Sequence, residues 1–462
     1  MFDETTYTDR RNKLKEEMVS GLVLLPGNNE SPMNYPSNTY HFRQDSSFLY
    51  FFGIDKPGLA GIIDVDSGEE ILFGDDIDLN ALIWMGPQPT VKMLGKAAGV
   101  KETRSFSELE KVVKNAIEKG RAIHFLPPYR AENSILLEQI TGIPHNMVSE
   151  KVSTELIKTV VKLRSVKEPG EIIEIEKAVN VAFEMHTTAM RMAMPGTYER
   201  EIAGCIEGIS LSHGSPVSFP VILTINGQTL HNHYHGNLLR EGRMMVTDAG
   251  HETSMCYASD ITRSVPVGGK FSQRQKEIYE IVLSALEKAT SLTRSGIPNR
   301  DIHLEAAAVI AAGLKDLGLM KGDVREAVQQ GAHAMFFPHG LGHMMGLDVH
   351  DMEGLGEDYV GYDEEIKRAE VFGLKGLRLG RRLREGFVLT IEPGLYFIPA
   401  LIDKWKEEGK FSSFINYDKV ESYKDFGGIR IEDDVVVTEE GCRVLGKGIP
   451  KKISEIEEFM RR

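Results

Sequence analysis

Cysteine is scarce. Cys205, Cys256 and Cys442 are the only three in 462 residues. They are far apart and odd in number, so no disulfide framework is implied, and a reducing compartment is the simplest reading. Positive charge is in deficit: 54 Lys and Arg face 68 Asp and Glu, for a net charge of −14. A general nucleic-acid binder needs a basic surface to displace counterions from phosphates, so that class is set aside. Long hydrophobic runs are missing as well. "GLVLLPG" at Gly21 is typical, and it falls far short of the roughly 20 residues that span a bilayer. The N-terminal "MFDETTYTDRRNKLKEEM" mixes acids and bases without an apolar core, unlike a signal peptide. These absences predict a cytoplasmic protein with no nucleic-acid and no membrane partner. No period of 20 to 50 residues repeats, and no segment is of low complexity.

What is present is the composition of a soluble globular chain, 41% apolar and 26% charged, long enough for two or three domains. In the first third, "GLVLLPG", "AGIIDV" at Ala60, "EILFG" at Glu70 and "RAIHFLP" at Arg121 read as strands. "SFSELEKVVKNAIEKG" from Ser105 reads as a helix closed by Gly120. This predicts an α/β domain over 1–160. A domain change is expected between about 150 and 165. After it, Ser165 and Glu168 match a capping box, and Pro169 suits a first helical turn, so a long helix should run to about Met194 before Pro195-Gly196. Over 161–462, "SFPVILTING", "RMMVTDAG", "ITRSVPVGG", "GFVLTIEPGLYF" and "GIRIEDDVVVT" are strand-like and mostly follow one another. "SQRQKEIYEIVLSALEKATSL" and "HLEAAAVIAAGLKDLG" are helical. The second domain should therefore be α+β with a largely antiparallel sheet.

Several of those strands are interrupted by a carboxylate: Asp248 in "TDAG", Asp260 in "ASDITR", Glu392 in "TIEPG" and Glu432 in "RIEDD". A buried lone carboxylate is costly unless it is paired or meets a cation. The segment "FPHGLGHMMGLDVHD" adds His339, His343 and His350. Taken singly, each residue has an ordinary reading. Asp at a strand end is usually a turn former, Glu in a strand usually faces solvent, and His339 and His343 could lie on a surface helix. Gly340, Gly342 and Gly346 argue against that helix. Taken together, the acids and histidines could converge on a divalent metal pair. Competing motifs fail. "HETSM" has Met255 where HExxH needs its second histidine, "HGLGH" lacks the glutamate, and neither a Walker A loop nor GxSxG occurs.

In that order, "TDAG", "ASDITR", "PHGLGHMMGLDVHD", "LTIEPGLYF" and "GGIRIEDD" resemble the metal-binding signature of the Xaa-Pro peptidases, the prolidase and aminopeptidase P members of the pita-bread metallopeptidase family. The resemblance spans about 165 to 445, and "YHFRQDSSFLYFFGIDKPG" resembles the family's N-terminal accessory domain. It implies a C-terminal pita-bread catalytic domain holding two divalent ions through Asp248, Asp260, His343, Glu392 and Glu432, with Asp260 and Glu432 bridging. Mn²⁺ suits such an oxygen-rich set best, and Zn²⁺ or Co²⁺ are compatible with it. His231, seventeen residues before Asp248, matches a further family histidine, with His233 and His235 as fallbacks. The resemblance places His231, His339 and His350 against substrate. Glu392 would accept the water proton and pass it to the leaving nitrogen, while Arg430 would support Glu432 from behind. Asp248 and Asp260 are twelve residues apart where the family more often has eleven, and the loop "HETSMCY" should absorb the extra residue.

The resemblance further implies a homodimer acting on proline-containing di- or oligopeptides. Arg378 aligns with a prolidase arginine that grips the substrate's terminal carboxylate, which leans the expectation toward Xaa-Pro dipeptides. Arg381, Arg382 and Arg384 cluster beside it, so a solvated basic face is the plainer alternative. Aminopeptidase P, acting on longer peptides, is the second expectation. A metal-free binding module or creatine hydrolase of the same fold is a remote one, opposed by the survival of all five ligand types. Methionine aminopeptidase fits less well because of the large N-terminal domain.

Overall fold

The apolar runs of the first third become one five-stranded sheet. Leu22–Pro26 (β1), Ala60–Asp64 (β2), Glu70–Phe73 (β3), Glu102–Arg104 (β4) and Ile123–His124 (β5) lie in the order β4-β3-β2-β1-β5. β2 is antiparallel to β1 and β3, and the two outer strands are parallel to their neighbours. Leu22 and Leu24 pack with Ile62, Phe73, Val113, Leu137 and Ile140 in one core, and the intervening Val23 and Leu25 are also buried. Both faces of the sheet are therefore covered, which explains the continuous rather than alternating apolar run. The expected helix after Ser105 opens as a 3-10 turn at Phe106–Glu108 and continues as Leu109–Glu118.

The computed structural model describes residues 1–461. The chain divides into two compact units, Met1–Arg164 with Gly354–Tyr359, and Ser165–Glu353 with Val360–Arg462. Among the described residues, no helix is long and apolar enough to cross a membrane.

The second unit opens with the helix Pro169–Met192, and here the expected cap is corrected. Ser165 ends the preceding helix, Thr154–Ser165, instead of capping the next. The box is formed by Glu168 and Glu171: the Glu168 N–H donates to the Glu171 carboxylate at 2.9 Å. The cause is Pro169. It occupies the first helical position and holds the preceding residue extended, at φ −70° and ψ 155°, so only Glu168 can stand at the N-cap.

Every strand pair named in this unit is antiparallel. Ile222–Thr224 (β6), Met244–Ala249 (β7) and Ile261–Pro266 (β8) form one sheet in the order β8-β7-β6. Val388–Ile391 (β9) pairs with Asp433–Val437 (β12), and β12 with Cys442–Val444 (β13). Gly394–Tyr396 (β10) pairs with Gly428–Arg430 (β11). Helix Pro169–Met192 packs on β7 and β8, and helix Gln273–Leu292 packs on β9 to β11 and on helix Asn299–Asp316.

The β7–β8 hairpin sets the geometry of the first two acids. Its register pairs Met244 with Pro266 and Asp248 with Thr262, and the same register continues outward to Glu252 and Ala258. There is no bulge along it. Its irregular part is the closing turn, where Thr253 N–H donates to Tyr257 C=O at 2.9 Å and Cys256 adopts φ +65°. Asp260 is two residues from Thr262, the cross-strand partner of Asp248, so period-two geometry places both carboxylates on one face.

Candidate metal centre

Three separate stretches bring the remaining acids to that face. Glu432 lies between β11 and β12, where its N–H donates to Thr262 C=O at 3.1 Å. Glu392 follows β9, with its N–H donating to Leu341 C=O at 2.7 Å. The histidine segment forms an irregular loop docked on β9. His343 N–H donates to Thr390 Oγ1 at 3.1 Å, and Thr390 N–H donates to His343 C=O at 3.0 Å. Asp248, Asp260, His343 and Glu432 are buried, and the Glu392 side chain keeps 20% exposure.

Electrostatics shows what this arrangement can hold. His343 Nδ1 lies 3.0 Å from Met344 C=O, an acceptor, so Nδ1 carries the proton and Nε2 carries the lone pair. That lone pair faces Asp260 Oδ2 at 3.3 Å and Glu392 Oε1 at 3.9 Å. Burial, then His350, hold the His343 pKa well below the ordinary histidine value, so the imidazole is neutral and does not neutralise the acids. Burial, then Glu432 and Asp248, push Asp260 well up, and burial with Glu392 and Asp248 does the same to Glu432. Burial raises Glu392 to about 8 even against Arg430 and Arg378. Oδ1 of Asp248 and Oδ1 of Asp260 have no hydrogen-bond partner among the described residues. Acceptors turned toward one another in a buried site need protons or a cation. The donor set fits one: Asp248, Asp260 and Glu432 present atoms within 4.8 Å of one another, as do His343, Glu392 and Glu432, and Asp260, His343 and His350. His350, expected outside the ligand set, thus also reaches ligand distance.

Arg430 behaves differently from its expectation. Its Nη2 donates directly to Asp248 Oδ2 at 2.6 Å, and it reaches Glu432 only through Thr262, by Nε to Oγ1 at 3.0 Å and then Oγ1 to Glu432 Oε2 at 2.6 Å. Residues two apart in an extended chain are about 6.5 Å apart, which leaves room for the hydroxyl between them. Arg430 Nη1 also donates to the Tyr396 hydroxyl at 2.9 Å, and that oxygen lies 2.8 Å from His339 Nε2. His339 Nδ1 is 2.7 Å from Gly340 C=O, so it is the donor there and Nε2 accepts from Tyr396. Burial and Arg430 lower the His339 pKa to about 3, and both ring nitrogens of this neutral imidazole are engaged.

The acids floor a cavity of about 390 Å³ whose wall includes Phe219, Pro220, His231, His339, His350 and Arg378. His231 has no hydrogen-bond partner among the described residues, and so its ring is available to a ligand. Of its neighbours, His233 also borders the cavity, whereas His235 Nε2 contacts Val221 C=O at 3.1 Å. The arginine cluster separates: Arg378 lines the cavity, Arg381 Nη1 donates to Val360 C=O, and Arg382 pairs with Glu365. Sequence reading passed over Thr262, Tyr396 and Glu353. Thr262 had a usable signal, since it follows Asp260 by two in a strand and must share its face.

Metal removal has a pH signature. Asp260, Glu432 and Glu392 bind protons more tightly in the fold than in the unfolded chain. Their contribution to the metal-free fold is present below the ordinary carboxylate range and is lost as pH rises through the folded-state values, about 8 for Glu392. The buried neutral histidines complete their opposite contribution below pH 7. We expect the melting temperature of chelator-treated protein to fall between about pH 7 and 9, and added Mn²⁺ to restore it most at the alkaline end, cations replacing protons. Melting curves that shift equally at pH 6 and pH 9 would contradict this.

Residues 174–439 match the model of metallopeptidase family M24, and residues 7–124 match that of the aminopeptidase P N-terminal domain. The chain is 31% identical to the Xaa-Pro dipeptidase of Homo sapiens, over 98% of this chain and 91% of that protein. It is 32% identical to the Xaa-Pro aminopeptidase of Escherichia coli K12, over 98% of this chain and 97% of that protein. The solved structure of aminopeptidase P from E. coli with the inhibitor Pro-Leu superposes with a TM-score of 0.80 at 30% identity, covering 100% of this chain and 98% of that one.

Proposed function

The chain belongs to metallopeptidase family M24, and from that premise we propose that it hydrolyses the Xaa-Pro bond at the N-terminus of peptides, with Xaa-Pro dipeptides preferred. The carrying observation is a set of mutually facing acceptors at the floor of a cavity whose wall presents a guanidinium.

In this reading Asp248, Asp260, His343, Glu392 and Glu432 hold two divalent ions. Glu432 belongs to both the Asp248 and the His343 groupings, and Asp260 lies beside both, so these two carboxylates would be the ones shared between the ions. Four of the five ligands offer hard oxygen, so Mn²⁺ is the expected metal, with Zn²⁺ and Co²⁺ compatible. When bound, such ions lower the pKa of water and polarise a carbonyl oxygen. The chain's own residues do the rest. Arg430 fixes Asp248 and, through Thr262, Glu432. Glu392 takes the proton of the attacking water and returns it to the leaving nitrogen. His231, with its ring unengaged, donates to the substrate carbonyl. Phe219, Pro220 and His350 form a wall for the pyrrolidine ring, and His350 also contacts the reacting carbonyl. The Xaa-Pro amide has no N–H, so that wall strands no donor. The acid cluster favours a free amino group on the first residue. His339 serves as a locked wall residue whose nitrogens are held by Tyr396 and Gly340.

Arg378 decides between substrates. It is placed to bind the carboxylate of a dipeptide, where a longer peptide has an amide. Release of the N-terminal residue from longer peptides is the second reading, favoured by the pairing of Arg378 with Glu353, which leaves the guanidinium already partly neutralised. Hydrolysis of Ala-Pro against Ala-Pro-Ala with Mn²⁺ tests both. Arg378→Ala should raise KM for Ala-Pro by about tenfold to a hundredfold, the worth of a hydrogen-bonded charge, and leave Ala-Pro-Ala nearly unaffected. Equal effects on the two peptides would remove the dipeptide preference. Bound metal below one equivalent in active protein would remove the metallopeptidase reading.

A further inference from the structure

Arg378 is not a bare cation in the cavity wall. Its Nη1 donates to Oε1 of Glu353, and the other oxygen of that carboxylate, Oε2, accepts from Nδ1 of His350. One carboxylate thus joins two residues that line the cavity. With Nδ1 held by Glu353, the other ring nitrogen of His350, Nε2, is left for the cavity. The ring packs against His343 at a centroid distance of 4.1 Å, tilted by 54°, and His350 comes within ligand distance of Asp260 and His343. The Nδ1 contact therefore sets both the tautomer and the tilt of a ring at the edge of the acid cluster. His350, then Arg378, hold the Glu353 carboxyl at about 2, so it is ionised throughout the working range. The side chains of His350, Glu353 and Arg378 are 33%, 41% and 32% exposed, so this pair is screened and can exchange partners.

We propose that Glu353 is a specificity-determining positioning residue, a single carboxylate that orients His350 for turnover and competes with a peptide's terminal carboxylate for Arg378. The inference rests on the Xaa-Pro peptidase reading of the same cavity. A dipeptide brings its carboxylate to Arg378 and so sets a second negative charge beside Glu353, which weakens its binding. A tripeptide brings a neutral amide there and meets no such opposition. The hold on His350 serves both substrates alike. Glu353 therefore acts on KM for dipeptides alone and on kcat for both.

The test is steady-state kinetics of Glu353→Gln with Ala-Pro and Ala-Pro-Ala in Mn²⁺. The change keeps side-chain size and removes the charge. KM for Ala-Pro should fall about fivefold, the size of a partly exposed ion pair, while KM for Ala-Pro-Ala stays within about twofold. The kcat should fall about tenfold for both peptides, as when the outer partner of a working histidine is lost. In an Arg378→Ala background the KM effect of Glu353→Gln should vanish and the kcat effect persist. A KM change equal for both peptides, or a KM effect that survives without Arg378, overturns the competition. An unchanged kcat overturns the orienting role. Failure of the parent chain to cleave either peptide removes the peptidase reading and this inference with it, whereas cleavage by the parent with an unaltered variant removes this inference alone.

Discussion

Asp260→Asn should lower kcat/KM by at least about a thousandfold, the scale of losing several kcal/mol of transition-state charge stabilisation. Metal analysis should find at least one of two equivalents gone. Asp260 is buried beside His343 Nε2 at 3.3 Å, and it belongs both to the grouping with Asp248 and Glu432 and to the grouping with His343 and His350. Asparagine copies its shape and leaves intact the backbone bond from the residue-260 N–H to Asp434 Oδ2 at 3.0 Å. What it removes is a negative charge that, in the proposed ligand set, serves both ion positions. The same change relieves repulsion in the metal-free fold, where Glu432 and Asp248 crowd Asp260. Chelated Asp260→Asn should therefore melt above the chelated parent, while the metal-loaded parent melts above both. That inversion separates loss of metal from loss of fold. Normal turnover in the variant would contradict the ligand assignment, and a lower melting temperature without metal would contradict the repulsion.

The convergence of these acids and His343 was legible because each acid stands in or beside an apolar strand run, the histidine sits in a glycine-punctuated segment, and the order of those segments is itself informative. The supports behind the ligands were not. Thr262 bonds Glu432 across 170 positions, and Arg430 bonds Asp248 across 182. The resemblance assigned Arg430 to Glu432, two residues away, whereas sheet geometry hands it Asp248 directly. Local signals misled only where two were in conflict. Ser165 looked like a cap, but Pro169 dictates the N-cap at Glu168. The helix Glu199–Ser212 escaped notice because Gly204 and Gly208 break its helical propensity, and burial of Ile202, Ala203 and Ile206 offsets that. Glu353 follows the histidine segment and opens the 3-10 turn Glu353–Leu355, too short for periodicity to tell which way a side chain turns.

The glycines between the histidines yield the second large effect. Gly342 is not in the left-handed region, so its requirement is for space rather than for backbone freedom. A Cβ there would lie 1.9 Å from Thr390 C=O and 3.0 Å from Thr390 Oγ1. Both atoms are fixed, the first by the sheet and the second by its bond from His343 N–H. The loop would have to lift off β9, breaking the paired bonds between His343 and Thr390. Gly342→Ala should cost about 3 kcal/mol of stability, the upper end of ordinary overpacking. A displacement of about 1 Å at His343 should cost roughly a hundredfold in kcat/KM, together with weakened metal binding. Gly208→Ala is the matched comparison. It lies in a helix with nothing within 4 Å of an added Cβ, so it should gain about 0.5–1 kcal/mol from propensity alone. Thermal melting, metal content and peptide hydrolysis of the two variants side by side decide the matter. If Gly342→Ala retains full metal and parental activity, His343 is not held in place by contact with β9, and the close approach of the loop to the strand is incidental to the site.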